Sequence, residues 1–169
     1  VSQYCEDNRV EVITHQNNVG VGGAVKTGYR RALEIGAEIV IKLDGDGQMD
    51  PKYIDQLVLP IMQGDADYSK GNRFFSIEGI RQMPRLRLIG NLVLSFMTKF
   101  SSGYWKIFDP TNGFTALDSR TLLNLPLDKI DDRYFFESDM LFRLGLMEAR
   151  VRDVSIGAIY RSEEHTSEL

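Results

Sequence analysis

The chain has 169 residues, of which 43% are hydrophobic, 26% charged and 10% aromatic, and its formal net charge is −4. This composition excludes a disordered chain, a collagen-like fibre and a disulfide-rich scaffold, and it is typical of one globular domain with a core. The single cysteine, Cys5, has no partner for an internal disulfide, which favours a reducing compartment.

The hydrophobic pattern predicts strands and helices in alternation along the chain. Short apolar runs bounded by turn residues predict strands at 10–14, 38–43, 66–70, 112–117 and 151–156. Apolar residues at helical spacing predict helices at 22–35, 51–61, 85–101 and 134–147. Pro51 suits the first turn of the second helix, and Pro60 is expected to end or kink it. This alternation implies an α/β fold with a mostly parallel sheet flanked by helices.

Both ends of the chain have unusual features. The chain starts at Val1 inside a polar run, so we expect the beginning of the domain, including its N-terminal strand or strands, to be missing. The last nine residues, 161–169 (RSEEHTSEL), lack apolar periodicity and resemble the translation of a sequencing-library adapter. Residues 1–160 are therefore interpreted as one incomplete domain and 161–169 as a non-native tail.

Charge is distributed unevenly. Between Lys70 and Lys106 there are seven basic residues and one acidic residue, a segment suited to phosphate or to an anionic membrane surface. The stretch before it is strongly acidic, which argues against a nucleic-acid-binding face and for a cation site. Its members are Asp44, Asp46, Asp50, Asp55, Asp65 and Asp67.

The most informative motif is Asp44-Gly45-Asp46-Gly47-Gln48, directly after the predicted strand 38–43. Ligands of α/β sheets bind beyond the carboxyl ends of the strands, and the hard oxygens of this motif suit Mg²⁺ or Mn²⁺. A Ca²⁺-binding EF-hand loop is excluded, because its sixth and twelfth positions would hold Met49 and Asp55. The alternative that the motif is only a turn stays open.

The segment Gly20-Val21-Gly22-Gly23-Ala24-Val25-Lys26-Thr27 nearly matches two phosphate-binding motifs. Val25 stands where a P-loop needs glycine and where the dinucleotide fingerprint needs glycine or alanine, so both motifs fail. What remains is a glycine-rich start of a helix, whose backbone N–H groups face a phosphate or whose glycines permit close packing. We favour packing.

Five motifs in order resemble those of family 2 glycosyltransferases, most closely the polyprenyl-phosphate branch that includes dolichyl-phosphate mannose synthase. The resemblance spans residues 8–160 and implies a Rossmann-like GT-A fold. The motifs are Asn17-Asn18-Val19-Gly20-Val21-Gly22-Gly23-Ala24, the 44–48 turn, Gly71-Asn72-Arg73, Asp109-Pro110-Thr111-Asn112-Gly113-Phe114 and Phe136-Glu137-Ser138-Asp139-Met140.

The resemblance implies roles for residues of the donor site. Asp44 and Asp46 match the family's DxD motif, with Asp46 as the direct metal ligand and Asp44 near the ribose or a metal-bound water. Gln48 matches a further metal ligand of the polyprenyl branch. Arg73 matches an arginine that faces diphosphate or acceptor phosphate, a task that suits its planar guanidinium.

The resemblance also implies an acidic catalytic or acceptor-positioning residue, for which Asp109, Glu137 and Asp139 are the candidates. Many members that transfer to a sugar have adjacent Glu-Asp, whereas this chain has Glu137-Ser138-Asp139. A sugar hydroxyl needs a carboxylate base but a phosphate acceptor does not, so the missing pair favours phosphate. For Asp109 and Asp139 a loop cap or an ion pair, such as Asp139 with Arg143, stays an equal alternative.

The segment 83–105 combines apolar residues with Tyr104-Trp105 at one end and Arg81, Arg85 and Arg87 at the other. This pattern suits a helix lying at a membrane interface, where it would reach a lipid phosphate acceptor. A core helix followed by an aromatic loop has the same composition. The family resemblance favours the interface.

The sequence therefore predicts a metal-dependent, inverting glycosyltransferase that uses Mg²⁺ or Mn²⁺ at the cytoplasmic face of a membrane. It would move a sugar from a nucleotide-diphosphate sugar to a polyprenyl phosphate. The alternatives are a glycosyltransferase that acts on a sugar or glycan hydroxyl, and a non-catalytic module that binds a nucleotide or a glycan. The nucleotide base and the sugar are not determined by these residues.

Overall fold

The computed structural model describes residues 9–72, 103–105, 107 and 112–156. Within these ranges, a four-stranded sheet lies between helices on its two faces, which confirms the α/β fold class. The elements in chain order are α1 (Gly20–Glu34), β1 (Ile39–Lys42), α2 (Ile54–Met62), β2 (Tyr68–Asn72), β3 (Thr115–Asp118), α3 (Ser119–Asn124), α4 (Phe136–Leu146) and β4 (Val151–Ser155).

Local sequence signals fix the ends of α1 and α2. The Asn18 side chain accepts a hydrogen bond from the Gly20 N–H at 2.8 Å, which satisfies one free donor where α1 begins. Asp50 accepts the Lys52 N–H at 3.0 Å and caps a 3₁₀ turn, Pro51–Tyr53, that leads directly into α2. The helix ends at Met62, two residues after Pro60, as the proline predicts.

The sheet has the strand order β1-β3-β2-β4 and is mixed. β3 runs antiparallel to both β1 and β2, and β2 and β4 are parallel. Three of the four described strands, β1, β2 and β4, therefore run in the same direction, as expected for a mostly parallel sheet, and β3 is the exception. Alternation of strands and helices does not fix the direction of β3, because a segment of 42 residues separates β2 from β3 and can return the chain in either direction.

The prediction of a strand at 10–14 is wrong, because these residues pair with none of the described strands. Their side chains alternate as in a strand, but Val10, Val12 and Ile13 are exposed. A β-strand is held by hydrogen bonds to a neighbouring strand, and an alternating hydrophobic pattern does not by itself provide that neighbour. The predicted helix at 85–101 and the tail 161–169 lie outside the described residues.

Two apolar clusters cover the two faces of the sheet. On one face, α1 and α4 pack over β2 and β3 through Tyr29, Tyr68, Leu117, Phe136 and Met140. On the other face, α2 packs through Leu57 and Ile61 against a second cluster that contains Phe114, Ala116 and Ile156. The sheet is thus the middle layer and is held from both sides.

In the part of the chain that the structure describes, no helix combines the length and the apolar character needed to cross a membrane.

Candidate active site

One end of the sheet, which we call the upper end, gathers the carboxyl ends of β1, β2 and β4 and the amino end of β3. The register pairs Lys42 with Thr115 and Asn72 with Ser155 at this end. Asp44 follows β1 by two residues, and Gly113 precedes β3 by two. The topology therefore brings the predicted metal turn and the 112–113 segment to the position where α/β sheets bind ligands.

The turn 44–48 is shaped by its own polar groups. The Asp46 Oδ1 accepts the Gln48 N–H at 3.0 Å, and Gly47 has a φ of +74°, which a glycine adopts without strain. Asp46 and Gln48 are exposed, whereas the Asp44 side chain keeps 35% of its surface. The turn geometry is thus satisfied by one oxygen of Asp46, and the carboxylates remain accessible.

Lys42 has three polar contacts at the upper end of the sheet. Its Nζ donates hydrogen bonds to Oδ1 of Asp44 at 2.8 Å and to the Gly113 carbonyl at 3.3 Å. It also lies 3.1 Å from Oε1 of Glu137. The Lys42 side chain is 5% exposed and that of Glu137 16%, so this ion pair is shielded from water.

Hydrogen bonds with β2 hold the 112–113 segment next to Lys42. The Asn112 side chain donates to the Gly71 carbonyl at 2.8 Å and accepts the Phe114 N–H at 3.0 Å. The fully buried Lys70 donates its Nζ to the Asn112 carbonyl. A Cβ at Gly113 would collide with the Asp44 carboxylate and the Lys42 ammonium. A larger residue at this position would displace one or both of these side chains.

Two buried tyrosines form the floor under these charges. Tyr29 of α1 and Tyr68 of β2 both hydrogen-bond with the Thr115 side chain. Burial raises the pKa of both phenols well above their ordinary value, and the negative charge of Glu137 raises each further. Both hydroxyls are therefore neutral at physiological pH, and the floor adds no charge to the site.

The two acidic residues of the first turn of α4 have different surroundings. Glu137 reaches the upper end of the sheet and contacts Lys42. Asp139 accepts the Asp131 N–H at 3.0 Å and pairs with Arg143 at 3.3 Å, the ion pair that the sequence analysis gave as an alternative to a functional role. The structure thus places Glu137 against Lys42, which also holds Asp44, and ties Asp139 to the loop that precedes α4.

The glycine-rich start of α1 packs against that same loop. A Cβ at Gly20 would collide with the Asp132 carbonyl, and one at Gly22 would lie 2.5 Å from the Asp131 carbonyl. The Gly23 N–H donates to the Asp132 carbonyl at 3.2 Å. One of the backbone donors of this segment is therefore used by the protein itself, which supports the packing interpretation.

Several predicted site residues lie outside the described residues: Arg73, Arg81, Arg85, Arg87 and Asp109. Among the residues that are described, no group of three or more His, Cys, Asp or Glu side chains comes together as a metal cage.

The sequence analysis did not single out Lys42. A charged residue at the end of the apolar run Ile39-Val40-Ile41 was the available signal, since a lysine in a buried strand needs acceptors nearby. The place of Gly113 opposite Asp44 had no such signal, because the two residues are brought together only by the pairing of β1 with β3.

Three kinds of comparison relate the chain to known proteins. The family model described as glycosyl transferase family 2 matches residues 1–123. The UDP-N-acetylglucosamine–dolichyl-phosphate N-acetylglucosaminyltransferase of Methanococcus voltae is 34% identical over 90% of this chain and 60% of its own length. The undecaprenyl-phosphate mannosyltransferase of Micrococcus luteus is 29% identical over 92% of this chain and 63% of its own.

Solved structures of the glucosyl-3-phosphoglycerate synthase of Mycobacterium tuberculosis share the fold. The complex with phosphoglyceric acid has a TM-score of 0.59 at 21% identity and covers 92% of this chain and 50% of that one. The complex with Mn²⁺, UDP-glucose and phosphoglyceric acid has a TM-score of 0.58 with the same identity and coverage. The chain spans 60% to 65% of the length of three curated relatives that it matches.

Proposed function

Because the chain belongs to glycosyl transferase family 2, we propose that it transfers a sugar from a nucleotide-diphosphate sugar to a polyprenyl phosphate. The observation that carries this proposal is the position of the 44–48 turn at the carboxyl end of β1, with Gly113 and Glu137 beside it. The names of the Methanococcus and Micrococcus relatives, each of which includes a polyprenyl phosphate, support the choice of acceptor.

The chemistry of the donor set fits Mg²⁺ or Mn²⁺. Asp44, Asp46 and Gln48 offer carboxylate and amide oxygens, which are the ligands these ions prefer. Mg²⁺ in particular binds through one or two carboxylates and completes its shell with water and substrate phosphates. The lack of a larger acidic cluster among the described residues is therefore compatible with an ion that the donor diphosphate helps to hold.

When bound, the ion would neutralise the charge that develops on the departing nucleoside diphosphate. The chain's own residues orient the carboxylates of the turn: Lys42 holds one oxygen of Asp44, and the Gln48 N–H holds one oxygen of Asp46. Arg73, which directly follows β2, would contact a phosphate of donor or acceptor.

The surroundings of the acidic residues favour a phosphate acceptor over a hydroxyl. Glu137 is ion-paired with Lys42, and Asp139 is ion-paired with Arg143. A phosphate oxygen is already ionised and attacks the anomeric carbon without a base, whereas a sugar hydroxyl requires a carboxylate to accept its proton. With a sugar or glycan hydroxyl as acceptor, the geometry favours Glu137 as the base, because it is the α4 acid that lies at the upper end of the sheet, in contact with Lys42.

Membrane contact through the basic segment, at the cytoplasmic face, is part of the same proposal. Arg81, Arg85 and Arg87 would attract the anionic headgroups around a polyprenyl phosphate, each contributing about 1 kcal/mol near the surface. Flotation of the full-length protein with vesicles of phosphatidylglycerol and of phosphatidylcholine tests this contact. Replacing the three arginines by glutamine should abolish the preference for phosphatidylglycerol.

The test of the transfer itself uses the full-length protein, Mn²⁺ and radiolabelled UDP- and GDP-sugars with undecaprenyl or dolichyl phosphate. We expect label in the organic phase, its loss with EDTA, and its loss in Asp46→Asn with the fold intact by circular dichroism. Lys52→Met is the matched control in the segment that follows the 44–48 turn, where Lys52 pairs with Asp50. Label on a glycan instead of the lipid would support the hydroxyl alternative. Nucleotide binding without transfer or hydrolysis would support the binding module.

A further inference from the structure

We propose that Lys42 is a positioning residue that fixes Asp44 for the cation and the donor diphosphate, with Glu137 as its counter-charge. This inference rests on the proposed function, since it names the residue that prepares the donor site. It concerns the buried ammonium between β1 and α4, to which the family resemblance assigned no role.

The first step is the geometry of the lysine. Its Nζ hydrogen-bonds with Asp44 at 2.8 Å and with the Gly113 carbonyl at 3.3 Å, and Glu137 lies at 3.1 Å on another side. An ammonium has three donors, of which two are used in these hydrogen bonds, while the carboxylate of Glu137 balances the charge. Lys42 is therefore held in place by contacts with three separate parts of the chain.

The second step is the consequence for Asp44. Oδ1 accepts the hydrogen bond from Lys42, and Oδ2 lies so close to Gly113 that an added Cβ there would collide with it. The side chain is thus oriented before any ligand arrives, while about a third of its surface, 35%, stays open. Preorganised ligands bind more tightly because their rotamers are not lost on binding.

The third step is the support behind the lysine. The position of Gly113 is fixed by its neighbour Asn112. The Asn112 side chain donates a hydrogen bond to the Gly71 carbonyl, and its own carbonyl accepts one from the buried Lys70. The contacts therefore run without a break from β2 through the 112–113 segment to Lys42 and Asp44. A site with this much support behind one carboxylate is organised for geometry rather than for charge alone.

The fourth step concerns why a charge is buried here at all. A buried ion pair adds little net stability compared with an apolar pair of the same size, but removing one partner leaves an uncompensated charge. If Lys42 served only to neutralise Glu137, removing both charges would restore the site. If Lys42 orients Asp44, removing both charges would restore the fold and leave Asp44 unoriented.

The experiment follows from this distinction and uses the full-length protein. Binding of Mn²⁺ with UDP, and of Mn²⁺ with GDP, is measured by calorimetry in the parent, Glu137→Gln, Lys42→Met/Glu137→Gln and Lys42→Arg. Circular dichroism and urea unfolding report the fold of each variant. Lys52→Met is the matched control, because it removes the exposed lysine that pairs with Asp50, an aspartate in a neighbouring part of the chain.

We expect the folded double variant to bind Mn²⁺ with nucleotide about tenfold or more weakly than the parent, the equivalent of one lost hydrogen bond to a charged group. Lys52→Met should stay within about threefold of the parent. The single variant Glu137→Gln measures how much of the loss comes from removing the counter-charge alone. In turnover assays the KM for the donor should rise in the double variant and the KM for the lipid should not, a split that a purely structural role would not produce.

Parental affinity in the double variant would overturn the inference, because Lys42 would then only balance Glu137. If the double variant does not fold, Lys42→Arg decides instead. It keeps the charge but cannot reproduce the three-way contact with a planar guanidinium, so parental affinity in Lys42→Arg overturns positioning as well. A parent that binds neither nucleotide with Mn²⁺ overturns the proposed function together with this inference, an outcome distinct from failure of the variants.

Discussion

The Nζ of Lys42 lies 3.1 Å from Oε1 of Glu137, so the last residue of β1 is tied directly to the first turn of α4. These residues are 95 positions apart in the chain, and both are largely buried. The pair therefore couples the sheet to the helix at the place where the 44–48 turn leaves the sheet. A displacement of α4 would be transmitted to Asp44 through this contact.

Replacing Gly113 by alanine should damage the site and the fold together. The added Cβ would collide with the Asp44 carboxylate and the Lys42 ammonium, which are themselves bonded to each other. Overpacking of a well-ordered region costs about 1 to 3 kcal/mol. We expect urea unfolding to show a loss in that range and calorimetry to show weaker binding of Mn²⁺ with UDP.

Gly28→Ala is the control for this variant, because it adds a Cβ where the space is free. Gly28 lies in α1, where an added Cβ would have nothing within 4 Å, and its φ is not positive. Gly28→Ala should leave nucleotide binding unchanged. Equal nucleotide affinity in Gly113→Ala and in the parent would show that the approach of residue 113 to Asp44 does not matter for binding.

Two glycines of α1 should respond to alanine with opposite signs. At Gly22 the new Cβ would lie 2.5 Å from the Asp131 carbonyl and 2.8 Å from the Phe136 ring, so we expect a loss of about 1 to 3 kcal/mol in the free energy of unfolding. At Gly28, alanine raises helix propensity and should add about 0.5 to 1 kcal/mol. A stabilising Gly22→Ala would contradict the packing interpretation of the glycine-rich segment.

The variant Asp139→Asn tests whether the Asp139 carboxylate has a structural or a catalytic role. Asp139 bonds with the Asp131 N–H and with Arg143, so the variant should lose about 1 to 2 kcal/mol of stability by urea unfolding. Donor binding and the lipid-transfer rate below the unfolding temperature should stay near those of the parent. An unchanged stability with a large loss of transfer rate would instead make Asp139 a catalytic residue.

Most of the elements could be predicted from the hydrophobic pattern, because the longer helices show helical spacing and the buried strands show short apolar runs. The run Ile39-Val40-Ile41 predicted β1, and the helical spacing of Ile54, Leu57 and Ile61 predicted α2. Periodicity failed at 10–14, where an alternating pattern has no described partner strand. It also missed α3, a single short helix that starts on the Asp118 cap directly after β3.

The site was predictable to the extent that it lies on one local motif. The aspartates of the 44–48 turn are close together in sequence, and the strand before them fixes the end of the sheet at which they stand. Lys42, Gly113 and Glu137 come together only through the antiparallel pairing of β3 and the packing of α4. Such long-range contacts have no signature in a single sequence.

A pH-dependent stability should arise at the opposite end of the sheet, from Asp67 and Arg150. The Asp67 carboxylate accepts the Arg150 N–H at 2.7 Å and pairs with its guanidinium at 2.5 Å, while the side chain of Asp67 keeps 24% of its surface. The guanidinium of Arg150 holds the pKa of Asp67 below its ordinary value of 3.8. Because this pKa is lowered on folding, the contact stabilises above pH 3.8 and is lost as the pH falls through the folded value.

The test compares the free energy of urea unfolding of the parent and Asp67→Asn between pH 7 and pH 3. The difference should be about 1 to 2 kcal/mol at pH 7 and should shrink toward pH 3, since protonation removes the same charge that the substitution removes. Asp128→Asn is the matched control: its ion pair with Arg30 is exposed on both sides and should contribute little at any pH. A difference for Asp67→Asn that stays constant down to pH 3 would mean that the amide geometry, and not the charge, holds Arg150 in place.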